Sequence, residues 1–274
     1  FFNGLLNSSW AGSGFSTPLY EAIQASANAG CIFVAGAGNT SIDIDSAPRY
    51  PAAYALGNII SVAATDRNDA RANWNGGGSS NVGVMGVDLA APGKDIYSSY
   101  HLSDNNYALK EGTSMAAPHV TGAMALLKAQ FPAESYQQLI NRLLSNTDSI
   151  TSFAGLSQTG ARLNLHRSLT STSTAPPNNS FANSFTFVVP YVFTSFTAVG
   201  NNVDATEETG EPNHAGNYGG KSIWWSWTAP SSSPVTMKTR GSSFNTLLAV
   251  YTGTSVSSLS VVASNIVRDS CGFA

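Results

Sequence analysis

Nine consecutive residues, Glu111-Gly112-Thr113-Ser114-Met115-Ala116-Ala117-Pro118-His119, carry the clearest chemical signal in this 274-residue chain. A serine hydroxyl is a weak nucleophile. It needs a base to take its proton and donors to hold the charge that develops on the carbonyl it attacks. Ser114 falls where a helix is expected to begin, and in a first turn the unpaired N–H groups and the positive dipole end favour an anion. Gly112 leaves room for another backbone to approach, and Ala116 and Ala117 let the helix lie close to a sheet. Ala116 also stands where a Gly-x-Ser-x-Gly turn needs its second glycine, so that rival motif is excluded. A bare Gly-Thr-Ser would read as an ordinary helix start; the length of the stretch argues against that.

A second stretch can supply a donor. Phe33-Val34-Ala35-Gly36-Ala37-Gly38-Asn39 is an apolar run that empties through glycines into an asparagine. Alone, Asn39 reads equally as a turn residue or as a glycan acceptor in Asn39-Thr40-Ser41. Together the two stretches closely resemble the subtilisin-like serine proteases. The resemblance implies that Ser114 is the catalytic nucleophile. It also implies that Asn39 offers its side-chain N–H, with the Ser114 backbone N–H, to the oxyanion.

It further implies that Asn7-Ser8-Ser9-Trp10-Ala11-Gly12 pairs with an extended peptide. Ser9, Trp10 and Ala11 would line the pocket for the residue before the scissile bond, with Ala37 and Gly38 also touching substrate. Ala11 replaces a glycine usual in the family. Tyr50-Pro51 resembles a family pair joined by a cis bond. Arg49 before it is expected to point into the pocket and favour acidic side chains, a solvated arginine being the other reading. The implied chemistry uses no metal or other cofactor; structural Ca²⁺ is common in the family, and no ligand cluster for it is legible.

The family's order along the chain is Asp, His, Ser, and the first two have no match here. Glu21 lies on an expected helix, and Asp43 and Asp45 lie in the loop after Asn39. His119 belongs to the serine helix and reads as a packing or hydrogen-bonding residue. His101 reads as exposed, and His166 and His214 as surface residues. The expectation is a fragment that begins late, with the Asp, the His and any signal peptide in an absent N-terminal segment. Such a fragment would be nearly inactive alone.

The elements that must position these residues are legible in outline. Thr17 and Pro18 predict a helix start, and Gly30 its end. Cys31 to Ala35, Asn58 to Ala63 and Val87 to Ala90 are short apolar runs of the kind buried on both faces of a parallel sheet. Tyr136, Leu139, Ile140, Leu143 and Leu144 share one helical face. Buried strands alternating with helices predict an α/β fold class; the resemblance implies a subtilisin-like three-layer sandwich with a mostly parallel sheet, incomplete at its N-terminus, over residues 1–170. Ser168 to Ser180 is Ser/Thr/Pro/Asn-rich, and a linker is placed at 171–180.

From 181 to 274 the texture becomes β-branched and aromatic, with strands expected at Ser222–Thr228, Val235–Thr239, Leu247–Tyr251 and Leu259–Ala263. This region resembles the β-sandwich modules appended to bacterial secreted peptidases, and is expected to be truncated. Trp224, Trp225 and Trp227 alternate across a strand, which suits core packing or, less simply, a sugar platform. Cys31 and Cys271 are the only cysteines.

Charged residues make up 11% of the chain and the net charge is −3, without Lys/Arg runs, so neither nucleic acid nor an anionic membrane is an expected partner. No apolar segment is long enough to span a bilayer. Polypeptide substrates, a secreted or cell-surface location, and protein or glycan contacts of the C-terminal region are expected. The rival is a non-catalytic homologue, a decayed protease or an adhesive peptide- or glycan-binding module.

Overall fold

A computed structural model describes residues 4–187, 195, 197–239 and 241–267. Four segments lie side by side and parallel: β1 (Leu5–Ser8) at the sheet edge, then β2 (Ile32–Gly36), β3 (Ile59–Thr65) and β4 (Leu89–Pro92). All of β2 and β3 is buried, as two-sided burial of a parallel sheet requires. Val34, Ile60, Val62 and Leu89 are enclosed, each stabilising the fold by about 1.5–3 kcal/mol. The ladder continues from β4 to β8 (Ala161–Arg162), which is parallel to it, and ends on the antiparallel β7 (Asp148–Ser149).

Helices cover both faces. On one, α2 (Thr113–Gln130) buries Ala116, Ala117, Val120, Ala123, Met124 and Leu127, together with Leu139, Ile140, Leu143 and Leu144 of α3 (Tyr136–Leu144). On the other lie Ile23 of α1 (Thr17–Asn28), Ile44, Tyr54, Leu56 and Phe153. A Cβ at Gly36 would stand 3.0 Å from Thr113 Oγ1, so glycine there sets how near α2 can come to β2. The antiparallel hairpin of β5 (Ile96–Ser99) and β6 (Tyr107–Lys110) leads straight into α2. A short α4 (Leu165–Thr170) closes this part.

Several boundaries differ from the sequence reading. Ser16, not Thr17, caps α1: its backbone is extended and its hydroxyl accepts the Leu19 N–H at 3.4 Å, while Thr17 is already helical. β4 begins at Leu89, and Val87 and Asp88 lie between it and the preceding turn. The 171–180 segment is no free linker, because carbonyls at Ser171, Thr174 and Ala175 accept from Arg142, Asn141 and Ser145.

Beyond it the described residues form two small ladders, β9 (Phe185–Phe187) parallel to β10 (Trp225–Trp227), and β11 (Thr246–Thr252) antiparallel to β12 (Ser260–Val267). Val235–Thr239 is not a strand, since no neighbouring segment offers it a ladder among the described residues. His214 is not a surface residue. Its Nε2 lies 2.6 Å from Glu211 Oε1, its Nδ1 lies 2.8 Å from the Tyr251 hydroxyl, and its ring meets Trp224 edge-on. Trp224 is core and Trp225 and Trp227 are half-buried. Cys31 is a free, half-buried thiol, and Cys271 lies outside the described residues. No described helix is long and apolar enough to cross a membrane.

Candidate active site

The C-terminal ends of β1, β2 and β4 converge on the N-terminus of α2, the rim at which open parallel sheets bind ligands. Gly112 is the hinge of this junction. Its N–H donates to Gly93 O at 2.8 Å, beyond β4, and its φ of 144° is one that side chains rarely allow. A Cβ built there would lie 3.2 Å from Asn39 Nδ2 and 3.6 Å from the Ser114 backbone nitrogen. Glycine therefore keeps a side chain out of the space beside the Asn39 amide and the Ser114 backbone nitrogen.

Asn39 is oriented by its other amide atom. Oδ1 accepts the Thr113 N–H at 2.9 Å and the Thr113 hydroxyl at 3.1 Å, which leaves Nδ2 facing the Gly112 side. The Asn39 carbonyl accepts the Trp74 indole N–H at 3.1 Å. Ser114 is half-exposed in the first turn of α2, and its hydroxyl donates to Ser9 O at 2.9 Å. Among the described residues no imidazole bonds that hydroxyl. His119 turns its Nδ1 to Met115 O at 2.8 Å, and His101 and His166 are exposed.

The expected substrate residues are placed unevenly. Ser9, Trp10 and Ala11 are exposed beyond the end of β1, Trp10 at 54%, and Gly12 pairs with Tyr50 through two 2.8 Å bonds. Ala37 is fully buried, with its carbonyl on Asn81 Nδ2. Gly38 donates to Thr113 Oγ1 and accepts from the Asn81 N–H, so its backbone serves the loop itself. The Tyr50-Pro51 bond is cis. Arg49 is half-buried and folds its guanidinium back onto Pro48 O at 3.1 Å and Ala47 O at 3.4 Å.

Sequence reasoning missed Asn81. It is fully buried, and its Oδ1 accepts from the Thr40 N–H at 2.9 Å, the Thr40 hydroxyl at 3.2 Å and the Ile42 N–H at 3.2 Å. This one side chain braces the loop that carries Asn39. No periodicity or motif marks it in the Gly/Ser-rich run before Val82. Glu111, whose Oε1 accepts the Asn75 N–H at 2.7 Å, was likewise read only as part of the serine motif. Among the described residues, no group of three or more His, Cys, Asp or Glu could hold a metal ion.

Ser114 thus stands in the first turn of a helix at the edge of an α/β sheet, beside the side-chain amide of Asn39 from the adjoining strand loop. The chain belongs to the subtilase family, whose model matches residues 3–187 and so runs past the boundary expected at 170. It is 38% identical over 151 residues to subtilisin DY of Bacillus licheniformis, covering 54% of this chain and 52% of that protein. It is 36% identical over 165 residues to thermitase of Thermoactinomyces vulgaris, covering 60% and 53%. The chain thus spans about half the length of these relatives. Among solved structures, that of a subtilase cytotoxin assembly superposes with a TM-score of 0.53 at 25% identity, covering 60% of this chain and 57% of that one. A protease from Pseudoalteromonas arctica gives 0.51 at 29%, covering 60% and 50%.

Proposed function

We propose that this chain is the nucleophile-bearing part of a serine endopeptidase. Ser114 attacks the peptide carbonyl, and Asn39 Nδ2 with the Ser114 N–H receives the charge that forms on the carbonyl oxygen. The nearness of these two nitrogens to the same space beside Gly112 carries the reading. A His that takes the Ser114 proton and an Asp that orients it are assigned to polypeptide preceding this sequence, and the chain alone is expected to be nearly inactive. Ser9, Trp10 and Ala11 line the pocket ahead of the scissile bond. Arg49 belongs to its rim, where it must leave its own loop carbonyls to meet an acidic side chain. The reaction requires no metal, and no structural Ca²⁺ site is assigned.

The region after 180 is read as an accessory β module of a secreted or surface-bound enzyme, in contact with protein or glycan. The low charge content supports that location. A non-catalytic homologue that binds peptide along Ser9 to Ala11 is the second reading, which the exposure of those three residues suits equally.

A fluorophosphonate probe applied to the full-length protein separates the two. Labelling that disappears in Ser114→Ala is expected. An unlabelled serine, with no Asp and His motifs encoded upstream, favours the non-catalytic homologue.

A further inference from the structure

Ser114 is held by a chain of hydrogen bonds that the proposed reaction does not require. Pro118 has no N–H, so the helical bond that would return to the Ser114 carbonyl is missing. The Ser9 hydroxyl fills the gap, donating to Ser114 O at 2.9 Å. Ser9 Oγ accepts in turn from Asn7 Nδ2 at 3.0 Å. Asn7 Oδ1 accepts from the Thr121 hydroxyl at 2.9 Å, a proton that Thr121 shares with Ala117 O at 3.1 Å. Thr121 stands two turns along α2 from Ser114, on the same side. The circuit therefore leaves α2 at Thr121, crosses to β1 at Asn7 and returns to α2 at Ser114. Each amide and hydroxyl in it can donate and accept without conflict.

We propose that Ser9, oriented by Asn7 and Thr121, is a positioning residue for the nucleophile; this rests on the reading of Ser114 given above. Thr113 is fixed from one side by Asn39, and the Ser114 carbonyl from the other by Ser9. Between these two ties lie the attacking hydroxyl and the Ser114 N–H, whose nitrogen borders the Gly112 space. A first turn with an unsatisfied carbonyl frays or rotates, which moves both groups relative to Asn39 on its separate loop. Displacements of about 1 Å at a reacting centre cost up to ~10²-fold in rate.

Ser9→Ala removes the hydroxyl and keeps the Ser9 carbonyl. In the full-length protein, kcat is expected to fall about ten-fold, with KM within about two-fold and the pH profile of kcat/KM unchanged. Ser9→Thr should recover most of the loss. Thr121→Val should slow turnover in the same sense, and Ser9→Ala/Thr121→Val should be no slower than Ser9→Ala, because both break one circuit. Parental kcat in Ser9→Ala, a rise in KM alone, or additive losses would overturn the proposal.

Amide exchange reads the same tie without turnover. In Ser9→Ala the Met115 to Ala117 amides should exchange about ten-fold faster while those of Met124 to Lys128 stay as they were; unchanged protection overturns the proposal. A parent that neither labels nor turns over overturns the protease reading instead, and leaves exchange to decide whether Ser9 holds this turn.

Discussion

Asn39 shows how a single amide is made to face one way. An asparagine side chain can flip, but here the Thr113 N–H and hydroxyl both require an acceptor, so the oxygen is held toward α2 and the nitrogen turns to the Gly112 space. Asn39→Ala should lower kcat by ~10²–10³-fold with little change in KM, a magnitude that comes from removing such a donor in a subtilisin rather than from this chain. Steady-state kinetics of the full-length protein would check it. Gly112→Ala tests the space itself. A methyl group there meets both donors, and φ near 144° adds roughly 1–3 kcal/mol of strain. Loss of fluorophosphonate labelling with a lowered melting temperature is expected.

The α3 helix has an apolar face and two polar residues that are hidden all the same, Asn141 at 1% exposure and Arg142 at 4%. Burying such groups is unfavourable unless they are satisfied, and the chain beyond α4, together with Glu134, satisfies them. Asn141 Nδ2 donates to Thr174 O at 3.0 Å and Val203 O at 3.2 Å, and Asn141 exchanges amide bonds with Asn201. Arg142 pairs with Glu134, lies over the Phe131 ring and donates to Ser171 O. The tail after residue 170 is thereby docked against α3. Asn141→Ala should cost about 1–3 kcal/mol in chemical denaturation, with faster exchange at Val203 and Ala205 if the docking depends on it.

A cavity of about 340 Å³ lies between that docked tail and the N-terminal ends of β3 and β4, and Tyr54, Asp88, Asn141 and Pro177 are among the residues lining it. Burial pushes the Asp88 carboxyl up to about 7, and the Ser61 N–H at 2.6 Å offsets only part of this. The unfolded chain gives up that proton near pH 4 while the folded one keeps it to about pH 7. Stability from this group is therefore full below pH 4 and is lost as pH rises to about 7, by on the order of a few kcal/mol. Asp88→Asn should flatten that part of the pH–stability curve and leave the protein more stable than its parent above pH 7. Thermal melts across pH 4–8 would show it, and a parental slope in the variant would contradict it.

Much of this could be read before any coordinates because it is local. Ser114 at a helix start follows from nine adjacent residues, and the β2 strand and its turn into Asn39 follow from seven. The face of α3 follows from a 3.6-residue period. These are patterns that backbone geometry imposes on neighbours in the chain. The partners of those residues were not legible. Ser9 and Ser114 are 105 positions apart, Asn81 reaches back more than forty to brace the Asn39 loop, and Asn141 meets Val203 across 62. Pro118 announces that a carbonyl goes unpaired, but no periodicity says which hydroxyl will find it. His214 reads as a surface residue in sequence and becomes half-buried only because the chain brings Glu211, Tyr251 and Trp224 around it. Hydrogen bonds between polar side chains depend on where distant backbones cross, and only the packed sheet and helices decide that.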